Sequence, residues 1–197
     1  MPALSLLLGC AAVTGNGSST SRYRGDELST PVPLPAVTLT DTAGKPLNLQ
    51  TAVKGDVAIV YFGYTNCPDV CPTTMADLGN AIRKLPSAEQ QRVQVAFITT
   101  DPQHDTPARL RSWLDNFDAG LPHPFLGLGG SLATVQATAK KFGVVAENPQ
   151  TDNGKVTDTH GAQVIAFSPP NEQAHLVWLP GTKVSDYTHD LHTLLTS

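Results

Sequence analysis

Two apolar segments, residues 57–62 and 93–98, constrain the fold of this chain most strongly. Both are rich in β-branched and aromatic side chains, which favour strands. The first is an uninterrupted apolar run, which is typical of a strand buried on both faces. We therefore expect a sheet with structure packed above and below it.

The other elements are predicted from turn-forming residues and from helical spacing of apolar residues. Residues 162–167 and 175–179 read as strands, and the Pro-rich sequence between them predicts a hairpin. Helical spacing is present in four segments, which are residues 72–85, 106–117, 131–142 and 185–195. Three of these helices are predicted to begin with a capping hydroxyl, from Thr106, Ser131 and Ser185.

The order of these elements is β-α-β-α-α-β-β-α, which predicts an α/β fold of the thioredoxin-like kind. Its central mixed β-sheet is flanked by helices on both faces. Residues 37–49 contain the turn sequence Asp41-Thr42-Ala43-Gly44 and predict an additional N-terminal β-hairpin.

Composition excludes several classes of function. The 197 residues include 13 Lys+Arg and 17 Asp+Glu, so the net charge of −4 argues against a nucleic-acid partner. A content of 40% hydrophobic and 15% charged residues is sufficient for a folded core, and the length favours one domain. No apolar run reaches the roughly 18 to 20 residues that a membrane-spanning helix needs, so membrane attachment would require another route.

The N-terminal sequence indicates such a route. Residues 1–9 form a short apolar segment that ends at Cys10 and resembles the end of a truncated bacterial lipoprotein signal, in which the cysteine is lipidated. Residues 10–35 are then a lipidated cysteine and flexible tether, since seven of the eight residues 14–21 are Gly, Ser or Thr. The folded domain is predicted at residues 36–196. This arrangement predicts a lipid-anchored protein on the extracytoplasmic face of the bacterial membrane; the alternative is a terminus whose cysteine has no role.

Cys67 and Cys71 follow the first central strand, at the carboxyl end of the sheet, where α/β proteins commonly place their sites. On the first turn of a helix, a spacing of four residues brings both sulfurs to one face. Backbone N–H groups at the helix start are predicted to lower the pKa of the thiols. Thiolates suit Cu(I), and an imidazole can complete such a site. The spacing thus permits metal binding, a redox-active disulfide, both in alternation, or a purely structural disulfide.

The segment Gly63-Tyr64-Thr65-Asn66-Cys67-Pro68-Asp69-Val70-Cys71-Pro72 resembles the signature of the Sco/SenC family of thioredoxin-fold copper chaperones. Residues 100–107 are similar to that family's Asp-Pro-x-x-Asp-Thr-Pro segment, and residues 126–130 with 135–144 resemble a later part of it. The resemblance covers residues 33–196. It implies that Cys67, Cys71 and one distal histidine hold copper, as Cu(I), Cu(II) or both, for the binuclear copper centre of cytochrome c oxidase.

The resemblance also indicates which histidine is the distal one. His160 precedes the strand at residues 162–167, where the family carries its copper ligand, although the chain reads Thr159-His160-Gly161 where the family usually has Asp-His-Ser. Asp158 is a candidate to orient the His160 ring. Asp69 and Asp101 are candidates to influence the cysteines, and ordinary capping is the alternative for both.

Three classes of function follow. A metallochaperone would receive copper from an upstream donor and pass it to the copper-centre subunit of the oxidase. A thiol-disulfide oxidoreductase would use Cys67 and Cys71 as a redox pair, recharged by a thiol reductant, to reduce the cysteines of that subunit. A peroxidase of the peroxiredoxin kind would need one activated cysteine, which the paired cysteines fit less well.

Overall fold

The computed structural model describes residues 21–146, 150–152, 155–157, 161–169 and 173–197. Its strands are β1 (Asp26–Pro33), β2 (Thr38–Asp41), β3 (Pro46–Asn48), β4 (Val57–Gly63), β5 (Val93–Thr99), β6 (Leu126–Gly129), β7 (Gln150–Asp152), β8 (Lys155–Thr157), β9 (Val164–Ser168) and β10 (Gln173–Trp178). Its helices are α1 (Leu49–Ala52), α2 (Val70–Arg83), α3 (Ser87–Gln90), α4 (Pro107–Asp118), α5 (Leu132–Lys141) and α6 (Val184–Thr196).

Eight strands form one mixed sheet in the order β1-β10-β9-β4-β5-β6-β2-β3, and β7 pairs with β8 separately. The central strands β4, β5 and β6 are parallel, whereas β9 runs antiparallel to β4 and β10 antiparallel to β9. At the other edge, β2 and β3 form the predicted N-terminal hairpin. The expectation of a mixed, thioredoxin-like sheet is confirmed.

The sheet is covered on both faces, as the apolar run of β4 requires. Ile59 and Tyr61 face one core, which contains the apolar sides of α2, α4 and α6. Val60 and Phe62 face a second core, which contains part of α5 and the chain around β2 and α1. Every residue of β4 and β5 is buried. The two predicted central strands therefore form the interior of the domain.

The four predicted helices are present with shifted ends. The hydroxyls of Thr106 and Ser131 accept hydrogen bonds from the backbone of α4 and α5, so these two caps are confirmed. The predicted cap at Ser185 is wrong, because α6 begins at Val184. Ser185 therefore lies inside the helix, and Lys183 is the residue that precedes it. Within the described ranges, no helix is both long enough and apolar enough to cross a membrane.

The predicted start of the domain at residue 36 is too late, because β1 already pairs with β10. Most of β1 is exposed, and it lies at the edge of the sheet, where its two prolines are tolerated. The buried carboxylate of Asp190 in α6 fixes the chain just before β1, since it accepts hydrogen bonds of 2.9 Å from the backbone N–H groups of Arg24 and Gly25. Part of the segment that composition assigns to a tether thus belongs to the folded body.

Candidate functional site

Cys67 and Cys71 lie beyond the C-terminal end of β4, beside the loop that follows β5. The two strand ends are held together there, because the backbone N–H of Thr100 donates to the carbonyl of Gly63 over 2.8 Å. The cysteine-bearing segment therefore emerges from the most buried part of the sheet. The site therefore lies at the carboxyl end of the central strands, as the sequence predicts.

The two cysteines meet across a turn. The first turn of a helix does not hold both of them, because α2 begins at Val70. The backbone N–H of Cys67 donates to the carbonyl of Tyr64 over 3.1 Å, which closes the turn. The backbone N–H of Cys71, inside α2, points at the Sγ atom of Cys67 over 3.4 Å. The loop thus brings Cys67 over the start of the helix, and the two side chains come together.

The two thiols have different surroundings. Both are present as thiols; Cys67 is partly exposed and Cys71 is fully buried. The hydrogen bond with Cys67 and burial raise the pKa of the Cys71 thiol above its ordinary value. The predicted lowering of the pKa is therefore wrong for Cys71, because the hydrogen bond with Cys67 and the loss of hydration both favour the neutral thiol over the thiolate. Cys67 is the accessible member of the pair and Cys71 the shielded one.

Two residues of β4 pack directly beneath Cys71. The hydroxyl of Tyr61 donates to the Cys71 Sγ atom over 3.4 Å, and burial raises the pKa of this tyrosine. A Cβ atom at Gly63 would lie 2.8 Å from the same sulfur and 3.0 Å from the Phe97 ring. The close approach of the helix to the strand therefore requires glycine at this position.

A buried carboxylate, that of Asp105, ties the cysteine-bearing loop to the loop after β5. Asp105 is 3% exposed and accepts hydrogen bonds from Thr65 N (3.0 Å), Thr65 Oγ1 (2.5 Å) and Thr99 Oγ1 (2.6 Å). Burial raises the pKa of this carboxyl, although the hydrogen bonds from Thr65 and Thr99 oppose the shift. Three donors on one carboxylate fix the loop two residues before Cys67.

Arg109, in the first turns of α4, supports the same loop from outside. Its Nε atom donates to Thr65 Oγ1 over 2.8 Å, and its Nη2 atom donates to Asn66 Oδ1 over 2.5 Å. Sequence reasoning missed the roles of Asp105 and Arg109. The motif containing Asp105 carried part of the family resemblance, but no spacing rule connects it with Thr65, forty positions earlier.

The two predicted acidic neighbours lie in different environments. Asp69 is exposed and immediately precedes α2, but its side chain makes no capping hydrogen bond. Asp101 is buried, and its carboxylate pairs with Nδ1 of His104 at 2.8 Å. The histidine that Asp101 contacts is therefore His104 and not the predicted copper ligand, His160. An influence of either residue on the cysteines stays a prediction.

The predicted residues His160, Asp158 and Cys10 lie outside the described residues. Among the residues that are described, no group of three or more His, Cys, Asp and Glu side chains could hold a metal ion. The two adjacent sulfurs nevertheless supply soft donors of the kind that Cu(I) prefers. The donor set fits copper if one further ligand is added.

Comparison with known proteins gives a consistent result. The family model described as SCO1/SenC matches residues 34–196. A protein of Stutzerimonas stutzeri, provisionally named a copper-binding protein, is 31% identical over 136 residues, which cover 69% of this chain and 64% of that protein. The chain therefore spans less than two thirds of this relative's length.

Solved structures share the fold over most of the chain. The solution structure of apo Sco1 from Thermus thermophilus has a TM-score of 0.75 and 31% identity, and the match covers 89% of this chain and 99% of that one. Yeast Sco1 with copper bound has a TM-score of 0.73 and 27% identity, with 85% and 90% covered. The similarity thus includes a structure without copper and one that contains it.

Proposed function

Because the chain belongs to the SCO1/SenC family, we propose that it is a copper metallochaperone, which binds copper through Cys67, Cys71 and His160. Copper is the cargo, received from an upstream donor. The recipient is the binuclear copper centre of cytochrome c oxidase, which the resemblance of the two sequence motifs implies. Cys67 and Cys71 supply the two sulfur ligands, and His160 supplies the imidazole.

The observation that carries this proposal is the contact between the two cysteines at the end of β4. The backbone nitrogen of Cys71 lies 3.4 Å from the Cys67 sulfur and the two thiols hydrogen-bond to each other, so one ion can meet both side chains. The partial exposure of Cys67 supports transfer, because an incoming ligand of the recipient can approach the ion from that side. Burial of Cys71 holds the opposite side of the site fixed.

A Cu(I) competition titration of the reduced chain tests the proposal. We expect one equivalent bound tightly by the wild type, loss of tight binding in the Cys67→Ser/Cys71→Ser variant, and weakened binding in His160→Ala. His123→Ala is the matched control, since His123 lies in a surface loop with its Nε2 on the carbonyl of Gln91. Wild-type affinity in the double cysteine variant contradicts the proposal.

A second candidate is reduction of the recipient's cysteines, which the unequal exposure of the two thiols favours. The Cys67 thiolate would attack a target disulfide and form a mixed disulfide, and Cys71 would then displace the target thiol. Two electrons pass to the target, two protons balance its new thiols, and a Cys67–Cys71 disulfide remains. Reduction of a model disulfide peptide by the wild type, with a trapped mixed disulfide in Cys71→Ser, is the expected result.

A peroxidase is the remaining alternative function. Turnover of hydrogen peroxide by the reduced chain would favour a peroxidase over both candidates above.

Membrane attachment is tested separately. Loss of membrane retention in Cys10→Ser, in a chain produced with a complete signal, tests the proposed lipid anchor on the extracytoplasmic face. Unchanged retention in that variant contradicts the anchor and leaves the copper proposal standing.

A further inference from the structure

Arg109 presents a positive charge at the surface, on the loop residues Thr65 and Asn66 that immediately precede Cys67. Its side chain is 46% exposed, although Nε and Nη2 donate to Thr65 and Asn66. A guanidinium has five N–H donors, and within the described part of the chain only two of them are used. The remaining donors, including both on Nη1, are available to a carboxylate that approaches from solvent.

The charge of Arg109 is only partly balanced from inside the protein. The nearest carboxylate is Asp105, with its Oδ1 atom 3.9 Å from Nε. That distance exceeds a hydrogen bond, and the oxygens of Asp105 already accept three hydrogen bonds from Thr65 and Thr99. A bidentate ion pair with Asp105 is therefore not formed, and the outer edge of the guanidinium keeps its capacity to bind an anion.

A groove of about 310 Å³ begins at Arg109 and follows one face of α4. Thr65 and Arg109 line one end of it, and Ser112, Trp113 and Asn116 line the rest. Residues 109, 112 and 116 recur every three or four positions, so they share one side of the helix. The groove thus runs along a helix face and ends at the loop that presents Cys67.

The floor of this groove is rigid. The Trp113 ring packs against Phe97 and Phe117, with ring centroids 4.9 Å and 4.8 Å away. Cys67 packs against the same core as Trp113. A segment lying in the groove would therefore rest on the same packed core as the partly exposed Cys67, with polar side chains for its backbone and a cation for its side chain.

We propose that Arg109 is a specificity-determining residue, which binds a carboxylate on the partner segment that meets Cys67. The segment lies in the groove of α4 and carries Asp or Glu close to its thiol, disulfide or copper ligand. This inference rests on the proposed function only in requiring that a partner meets Cys67. It concerns which partner is selected, and it applies equally to transfer of copper and to transfer of electrons.

The test uses two small disulfides as probes of the reduced chain. Dithiobis(nitrobenzoate) carries one carboxylate on each half, and dithiodipyridine is a neutral aromatic disulfide. In both reactions the Cys67 thiolate attacks one sulfur and a mixed disulfide forms. The other half leaves as the nitrothiobenzoate thiolate or, after taking up a proton, as neutral thiopyridone, and the absorbance of either product gives the rate. The ratio of the two rates measures preference for a carboxylate, because general loss of reactivity affects both probes.

We expect Arg109→Gln to lower the rate with the carboxylate probe about threefold to tenfold at low salt, and to leave the neutral rate within about twofold. Lys84→Gln is the matched control, since it removes the same charge from an exposed position at the far end of α2. Arg109→Lys should restore part of the preference for the carboxylate probe over the neutral one. Added salt should reduce this preference in the wild type.

Two outcomes overturn the inference. If Arg109→Gln slows both probes equally, Arg109 only supports the loop through Thr65 and Asn66. If the preference is the same in Arg109→Gln and Lys84→Gln, the effect comes from net charge. Whether the wild type binds Cu(I) is measured separately, so failure of the copper proposal and failure of this inference remain distinguishable.

Discussion

The hydroxyl of Tyr61 donates a hydrogen bond to the Sγ atom of Cys71 over 3.4 Å, in the interior of the domain. The strand that forms the centre of the sheet therefore contacts the site directly. Cys71 is fully buried, so its chemistry depends on this strand more than on solvent.

Tyr61→Phe should favour the Cys67–Cys71 disulfide. The substitution removes one hydrogen bond from the dithiol form, which is worth about 1 kcal/mol, or about 20 mV in a two-electron couple. The reduction potential should therefore become more negative by about that amount, measured by equilibration with glutathione buffers. Tyr187→Phe, at a buried tyrosine that packs on Trp178, is the control and should leave the potential unchanged. A potential that does not move in Tyr61→Phe contradicts the prediction.

Gly63→Ala should damage both stability and copper binding. Its Cβ atom would lie 2.8 Å from the Cys71 sulfur, so the sulfur or the strand must move. Forcing a methyl group into a packed interior costs about 1–3 kcal/mol, which urea denaturation would measure. Gly130→Ala is the control, because its nearest neighbour would be Thr134 Cγ2 at an ordinary 3.4 Å. Equal losses in the two variants would show that the contact with Cys71 is unimportant.

Substitutions at Asp105 should separate its hydrogen bonds from its charge. Asp105→Ala leaves buried donors of Thr65 and Thr99 without an acceptor and should cost about 2–4 kcal/mol, whereas Asp105→Asn should cost less. Because burial raises the pKa of Asp105 in the folded state, the wild type gains stability when this carboxyl is protonated. That gain is lost as pH rises from the unfolded value of about 3.9 through the folded pKa.

The pH dependence gives the measurement. The stability of the wild type relative to Asp105→Asn should fall as pH rises through this window, in denaturation curves recorded at about pH 3 to about pH 7. A relative stability that increases with pH would show that the hydrogen bonds from Thr65 and Thr99 outweigh burial.

Copper binding by the proposed site should become tighter as pH rises. The pKa of Cys71 is raised, so this thiol stays protonated at neutral pH and must release its proton to bind copper. Each released proton strengthens apparent affinity by about tenfold per pH unit below the thiol pKa. Competition titrations at about pH 6 and about pH 8 would measure the slope, which should be smaller in Cys71→Ser. The same affinity at both pH values counts against a site formed by the two thiolates.

The sequence by itself determined the central architecture and the place of the chemistry. Residues 57–62 indicated an interior strand, because the run is uninterrupted and rich in β-branched and aromatic side chains. The short distance between Cys67 and Cys71 in the chain limits how far apart they can lie, so their proximity could be predicted. The motifs at residues 63–72 and 100–107 also indicated the family to which the chain belongs.

Only the tertiary structure decided what surrounds the two sulfurs. The contact of Asp105 with Thr65 joins positions forty residues apart, and no local pattern encodes such a pair. The predicted direction of the Cys71 pKa shift is wrong, because helix-start N–H groups are visible in sequence whereas the hydrogen bond with Cys67 and burial against a neighbouring strand are not. The start of the domain was missed for the same reason, since β1 is defined by its hydrogen bonds to β10. Local spacing limits where near neighbours such as Cys67 and Cys71 can lie, whereas burial and long-range pairing determine their surroundings and their pKa values.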